Sequence, residues 1–198
     1  GAAGATAALH LAAANKHVAL ISKGSLEVGS TRWAQGGIAS VADPEDSLQA
    51  HIDDTLKAGA GLCNPATVEL VVNHSQASIE WLVNQGVPFT PADPSCTNKE
   101  VIPPSPLAYH LTREGGHSYR RVLHADDATG KAISTSLLAK VRQHPNIQIF
   151  EHHLGIDLIT RHKVGLAEQQ GVGVYVLDIA QDEVVSLGAK AVILATGG

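Results

Sequence analysis

Gly1-Ala2-Ala3-Gly4 opens an alanine-rich segment that runs to Asn15, and Val18-Ala19-Leu20-Ile21 follows it almost at once. Residues this small beside glycines fit a helix lying close on a sheet, and the apolar tetrapeptide fits a short buried strand. The pair confines the chain to layered α/β folds. It also matches the tail of a G-x-G-x-x-G turn whose first glycine and first strand would stand upstream. In such a turn glycine lets the backbone approach a pyrophosphate, which then sits at the positive end of the helix dipole. The acid that holds ribose hydroxyls about 20 residues further on is missing, because the strand runs into Ser22-Lys23-Gly24. That departure counts against a generic NAD site.

The periodicity predicts a second helix over Ser47 to Ala60. A third is opened by Asn64 as N-cap with Pro65 at the first position, and stopped by Gly86. Within it Val68, Val72, Ile79, Leu82 and Val83 form one apolar stripe and are expected in the core. From Val87 to Pro106 repeated prolines interrupt every pattern and mark a long loop. A helix over Lys131 to Gln143 is followed by strand-like runs at Ile147 to Glu151, Ile156 to Arg161, Val172 to Asp178, Val184 to Leu187 and Ala191 to Leu194. Helices alternating with strands, then a run of strands, predict a nucleotide-binding α/β domain with a parallel sheet and an antiparallel β insert.

A formal charge of -5 supplies no excess positive potential for nucleic acid. The two cysteines, Cys63 and Cys96, have neither a zinc spacing nor a disulfide framework, which fits a reducing, cytoplasmic setting. No apolar run approaches the roughly 18–20 residues that cross a bilayer, so no membrane partner is expected. His152-His153 would point to opposite faces of a strand, and no metal site is expected. The chain opens on glycine and closes on Ala195-Thr196-Gly197-Gly198, and it reads as a piece of a longer polypeptide, truncated at both ends.

Two segments carry chemistry. Gly29-Ser30-Thr31-Arg32-Trp33-Ala34-Gln35-Gly36-Gly37-Ile38-Ala39 offers adjacent glycines after a polar-aromatic stretch, with the exposed amides and φ freedom that suit close approach to a flavin ring and its pyrophosphate. Tyr109-His110-Leu111-Thr112-Arg113-Glu114-Gly115-Gly116-His117-Ser118-Tyr119-Arg120-Arg121 gathers three arginines, two histidines and one carboxylate around a glycine pair. Guanidinium pairs with carboxylate in a bidentate fork, so this density suits a dicarboxylate substrate. Asp126, Asp127 and Thr129, before the helix at Lys131, are read as capping residues.

The Ser22-Lys23 pair, the A-Q-G-G-I core of the first segment and the closing A-T-G-G resemble the succinate dehydrogenase and fumarate reductase flavoprotein superfamily. The run T-R-E-G-G-H-S-x-R-R, with Leu123-His124-Ala125-Asp126-Asp127-Ala128-Thr129-Gly130, resembles its L-aspartate oxidase family, although Tyr119 stands where many members of that family carry histidine. The resemblance implies a Rossmann-like FAD-binding domain over residues 1–198, with capping and helical domains elsewhere in the polypeptide. It implies FAD contacts at Gly1, Ala2, Ala3, Gly4, Ser22, Lys23, Ser30, Thr31, Arg32, Trp33, Ala34, Gln35, Gly36, Gly37, Ala195, Thr196 and Gly197. Membrane-bound members place a flavin-linking histidine where this chain has Ser30, so the FAD is expected to be held non-covalently. Glu114 replaces an apolar residue of the succinate dehydrogenases, and its carboxylate could pair with the ammonium that distinguishes L-aspartate from succinate. The implied reaction is oxidation of L-aspartate to iminoaspartate with oxygen or fumarate as acceptor, feeding quinolinate and NAD synthesis, with a functional link to quinolinate synthase. The catalytic arginine is expected beyond residue 198. The alternatives are a soluble fumarate reductase or succinate-oxidising relative, and a non-catalytic FAD-binding module.

Overall fold

The computed structural model describes residues 1–92, 108–126, 128–165, 167 and 170–197. Its elements begin α1 (Ala2–Ala13), β1 (Val18–Ile21), α2 (Ser30–Trp33), β2 (Ile38–Ala39), α3 (Leu48–Ala58), α4 (Pro65–Asn73) and α5 (Ser75–Asn84). They continue β3 (Leu111–Thr112), β4 (Val122–Leu123), α6 (Thr129–Gln143), β5 (Ile147–Phe150), β6 (His153–Thr160), β7 (Gly171–Asp178) and β8 (Glu183–Gly188). The chain divides into two compact units, Gly1–Arg32 with Leu137–Gly198, and Trp33–Ser136.

In the first unit β1 and β5 pair in parallel, with Val18 opposite Ile147 and Ile21 opposite Phe150. Helix α1 buries Ala5, Ala8, Leu9 and Ala12. Its small side chains permit the close packing expected of them, since a Cβ added to Gly4 would stand 3.8 Å from Leu20 Cδ1. Strands β6, β7 and β8 form the antiparallel insert in sequential order, around a fully buried Val176. His152 lies in the left-handed turn ahead of β6 at φ 56°, outside the strand that would have set it opposite His153. The expected strand at Ala191 to Leu194 does not form. Strands exist through ladder partners, none of the described strands pairs with this run, and Ile193 and Leu194 remain exposed.

The second unit packs α3, α4 and α5 with a small sheet of order β2-β4-β3. Asn64 caps α4 through the Thr67 amide, as its position before Pro65 predicts. The single helix expected from Asn64 to Gly86 is two helices broken at His74. Its imidazole Nδ1 bonds the Leu70 carbonyl at 2.8 Å, the acceptor that its own amide reaches at 3.3 Å. The apolar stripe survives the break, with Val72, Ile79 and Leu82 buried and Val68 and Val83 half-buried. Gly86 stops α5 at φ 87°, and the amides of Gly86 and Val87 return to the carbonyls of Val83 and Leu82. The proline-rich loop lies outside the described residues from 93 to 107, with Cys96. Its ends are drawn together by the Pro91–Tyr109 bridge and by the edge-on Phe89–Tyr109 ring contact at 5.9 Å.

Within β7 the two glycines differ in what a side chain would meet. A Cβ on Gly173 would lie 2.3 Å from the Leu187 carbonyl oxygen, whereas one on Gly171 meets nothing within 4 Å. Gly173→Ala is therefore expected to lower the stability of the β6–β7–β8 sheet by about 1–3 kcal/mol, read as a drop in the denaturation midpoint, while Gly171→Ala leaves it nearly unchanged.

Candidate functional site

At the start of the first unit, α1 begins on Gly1 with no side-chain cap and no acid in its first turn, so the positive end of its dipole is uncompensated within the helix. The glycine-rich ends meet there. A Cβ on Gly29 would stand 3.6 Å from the Gly1 Cα, and one on Gly1 would press to 3.0 Å from Thr31 Oγ1. Thr31 Oγ1 also accepts the Ala2 amide at 3.0 Å. Ala195 completes the group, with its Cβ 3.6 Å from the position of a Cβ on Gly4. The structure thus brings together Gly1, Ala2, Gly4, Thr31 and Ala195. Ala3 is exposed on the same helical turn, and Thr196 and Gly197 follow Ala195 with Gly197 at φ 77°. A glycine cradle at a helix N-terminus whose first amide is held by Thr31, with no side chain at the N-cap position, fits the pyrophosphate of a dinucleotide. Ser22 holds the end of β1 by its backbone, donating to Phe150 and accepting from His153, and Lys23 is exposed. Ser30 and Arg32 lie in α2, a single helical turn inside a segment that reads as a loop in the sequence.

In the second unit the remaining loop residues run from an exposed Trp33 through Ala34, Gln35 and Gly36 into β2. Two backbone contacts hold this path. The amide of Gly130, in the first turn of α6, donates to the Ala34 carbonyl at 3.0 Å. Gly37 packs so tightly on β4 that an added Cβ would fall 2.1 Å from the Leu123 carbonyl oxygen. Only glycine fits there, and its fit sets the neighbouring Gly36 beside the second motif: a Cβ on Gly36 would lie 3.7 Å from Glu114 Oε2 and 3.8 Å from Oε1. The flavin-type loop and the carboxylate singled out in the sequence are therefore adjacent.

Glu114 sits in the hairpin between β3 and β4. The His117 amide donates to the Glu114 carbonyl at 3.2 Å, with Gly116 at φ 86° as the third residue of the turn. The hairpin rests on α3, where Asp54 accepts the Ser118 amide at 2.7 Å and its hydroxyl at 2.6 Å. Arg121 closes the hairpin and is fully buried. Its Nε and Nη2 donate to Asp46 at 2.8 and 2.7 Å, and its Nη1 donates to Asp54 at 2.8 Å. Desolvation alone would raise the Asp54 pKa, but the hydrogen bonds from Ser118 and Arg121 together outweigh it and bring the group down to about 2. His51, one turn before Asp54, faces the His117 ring at 5.7 Å, and its buried Nδ1 has no hydrogen-bond partner among the described residues. Burial, then repulsion from Arg121, lowers its pKa and favours the neutral ring.

The arginines of the second motif thus divide. Arg121 is consumed by Asp46 and Asp54 and offers nothing to a ligand, whereas Arg113 and Arg120 are exposed. The sequence analysis grouped all three, because nothing within the motif marks Asp46 and Asp54 as partners of Arg121. The signal was present in α3: His51 shares the buried side with Ile52, and polar groups there require partners. Of the expected caps of α6, Thr129 accepts the Ala125 amide through Oγ1 at 3.0 Å, while Asp126 takes a left-handed conformation and gives its amide to Thr90. Asp127 and Gly198 lie outside the described residues.

The family described as FAD binding domain matches residues 1–198. L-aspartate oxidase 1 of Ralstonia nicotianae is 49% identical over the whole chain, which spans 35% of that protein. L-aspartate oxidase of Pseudomonas aeruginosa is 47% identical, and the chain spans 36% of it. Among solved structures, a quinol fumarate reductase from E. coli superposes with a TM-score of 0.85 at 30% identity, over all of this chain and 31% of that one. The chain spans about a third of the length of these relatives.

Two expectations separate anchoring from ligand binding. Arg121→Ala strands the buried Asp46 carboxylate and should cost on the order of 3–5 kcal/mol, measured by denaturant unfolding, whereas Arg113→Ala and Arg120→Ala should stay within about 0.5 kcal/mol. A depressed carboxylate stabilises the fold above its unfolded pKa and loses that contribution as the pH falls. The Asp54 contribution should therefore be complete above pH 3.8 and disappear as the pH falls through about 2, and Asp54→Asn should flatten that acid limb.

Proposed function

The chain belongs to the FAD-binding domain family, and from that membership we propose that its residues are the flavin-binding portion of an enzyme that oxidises L-aspartate to iminoaspartate. The observation that carries the reading is the Glu114 carboxylate beside Gly36 of the flavin-type loop. In the first unit the Gly1–Gly4 turn, Ser22, Lys23, Ser30, Thr31, Arg32 and the Ala195–Gly197 segment would hold the dinucleotide. In the second, Trp33, Ala34, Gln35, Gly36 and Gly37 would line the ring. Ser30 offers no imidazole for a covalent link, which supports non-covalent binding. FAD, when bound, supplies the acceptor for the hydride lost from the substrate α carbon, with oxygen or fumarate as the final acceptor.

What the chain's own residues do is bind and orient. Glu114 accepts from the substrate ammonium and fixes the face that the α carbon presents, since hydride transfer depends steeply on geometry. The same carboxylate discriminates, because beside a dicarboxylate without an ammonium it adds only like charge. Arg113 and Arg120 are the exposed cations of this hairpin available to a substrate carboxylate. The catalytic arginine belongs to the rest of the polypeptide, in keeping with a chain that spans 35% of its relative. Iminoaspartate would pass to quinolinate synthesis on the way to NAD, hence the expected link to quinolinate synthase. Cytoplasmic placement accords with two cysteines that have no disulfide framework. The second reading, a fumarate reductase or succinate oxidase, draws on the likeness to the E. coli quinol fumarate reductase.

The test is made on the full-length polypeptide reconstituted with FAD, without oxygen, by following flavin absorbance. L-aspartate should bleach the flavin and succinate should not, and Glu114→Gln should raise the KM for L-aspartate about 10- to 100-fold, as loss of a charge-assisted hydrogen bond implies. Bleaching by succinate alone would move the protein to the second reading, and bleaching by neither would leave a flavin-binding module.

A further inference from the structure

Glu114 can select an ammonium only if its carboxylate stays where the ammonium will be, yet the residue is exposed and rides on a turn with two glycines. Glycine pairs lower the cost of alternative backbone conformations. Something outside the turn must therefore hold it. The side chains that do so lie on one face of α3, at positions 51, 54 and 58, spaced three and four residues apart. His51 meets the His117 ring, Ala58 Cβ lies 3.7 Å from the place of a Cβ on Gly116, and Asp54 takes both hydrogen-bonding groups of Ser118. Two of these are packing contacts. The third has direction: two short hydrogen bonds to a single carboxylate fix the position and orientation of Ser118. The same carboxylate is itself held by the buried Arg121 at 2.8 Å, at the other end of the hairpin loop.

We propose that Asp54 is a positioning residue for Glu114: by gripping the amide and hydroxyl of Ser118 while anchored on Arg121, it fixes the turn that sets the Glu114 carboxylate beside Gly36. The proposal rests on the reading of Glu114 as the ammonium-binding group. Asp54 is largely shielded, with 13% of its side chain exposed, and both of its partners belong to the hairpin, so it acts on the substrate through Glu114. Its loss would free the turn, and the affinity lost would be the part that depends on the ammonium.

The experiment uses the full-length holoenzyme and compares Asp54→Asn, Glu114→Gln and the double variant. Two quantities are read: the KM for L-aspartate, and the Kd for succinate, a dicarboxylate without an ammonium, from its perturbation of the flavin spectrum. Asp54→Asn should raise the KM on the order of tenfold and leave succinate binding within about twofold. In the Glu114→Gln background the same substitution should change the KM by less than about twofold, because the group it positions is already gone. Equal weakening toward both ligands, or a full additional loss on top of Glu114→Gln, would overturn the proposal and leave Asp54 as a folding residue only. If Asp54→Asn gives no folded holoenzyme, Ser118→Ala carries the test: a few-fold loss confined to L-aspartate supports the proposal, and an unselective loss or none overturns it. A wild-type enzyme that does not oxidise L-aspartate sinks the functional reading and this inference with it. A wild-type enzyme that does, with Asp54→Asn unaffected, sinks this inference alone.

Discussion

The second unit is organised around one buried cation. Arg121 is removed from water entirely, which is tolerable only because three of its donors meet two carboxylates in near-ideal geometry. The carboxylates come from the start and the middle of one local structure. Asp46 precedes Ser47, the N-cap of α3, and Asp54 lies about two turns further along that helix. The guanidinium therefore fixes the start of the helix, its middle and the last residue of the hairpin relative to one another. Everything the hairpin presents, including Glu114, takes its place from that arrangement.

Glycine chemistry provides the second constraint. Gly37 lies against β4 where no side chain has room, and this contact brings the loop through Gly36 alongside Glu114. The three short strands have only two residues each, and their pairing, Ile38 with Leu123 and Leu111 with the same Leu123, makes β4 the common element between loop and hairpin. A sheet this small has little stability of its own. It persists because the loop is also tied to the amide of Gly130 and because the hairpin is tied to α3.

Much of this was legible in the sequence. The helix α1 and strand β1 follow from small and β-branched residues at the right spacing, and β1 falls on the residues that the pattern marks. The Asn-Pro start and the Gly86 stop fall where capping chemistry puts them. Patterns failed where a partner decides the outcome. An apolar run at Ala191 to Leu194 reads as a strand, but no residue within it can say whether a ladder exists to receive it. The helix breaks at His74, whose imidazole bonds the Leu70 carbonyl, an interaction that helical periodicity does not register. The candidate site shows the same division: the two motifs are local and visible, whereas the role of Arg121 depends on Asp46 and Asp54, far away in sequence, and composition alone makes it look like a ligand for substrate.

The pairing of β2 with β4 has a kinetic side. These strands are separated by more than 80 residues, α3, α4, α5 and β3 among them, so the contact between Gly37 and Leu123 closes a long stretch of chain on itself, an entropic cost that local structure does not share. Helix α3, by contrast, is made of local contacts, with Ser47 capping its first turn. Arg121, at the end of the hairpin loop, pairs with carboxylates before and within that helix. The bonds of Arg121 to Asp46 and Asp54 span 75 and 67 residues and carry the same entropic cost, so the arrangement around Glu114 rests on contacts that only the closed chain can make.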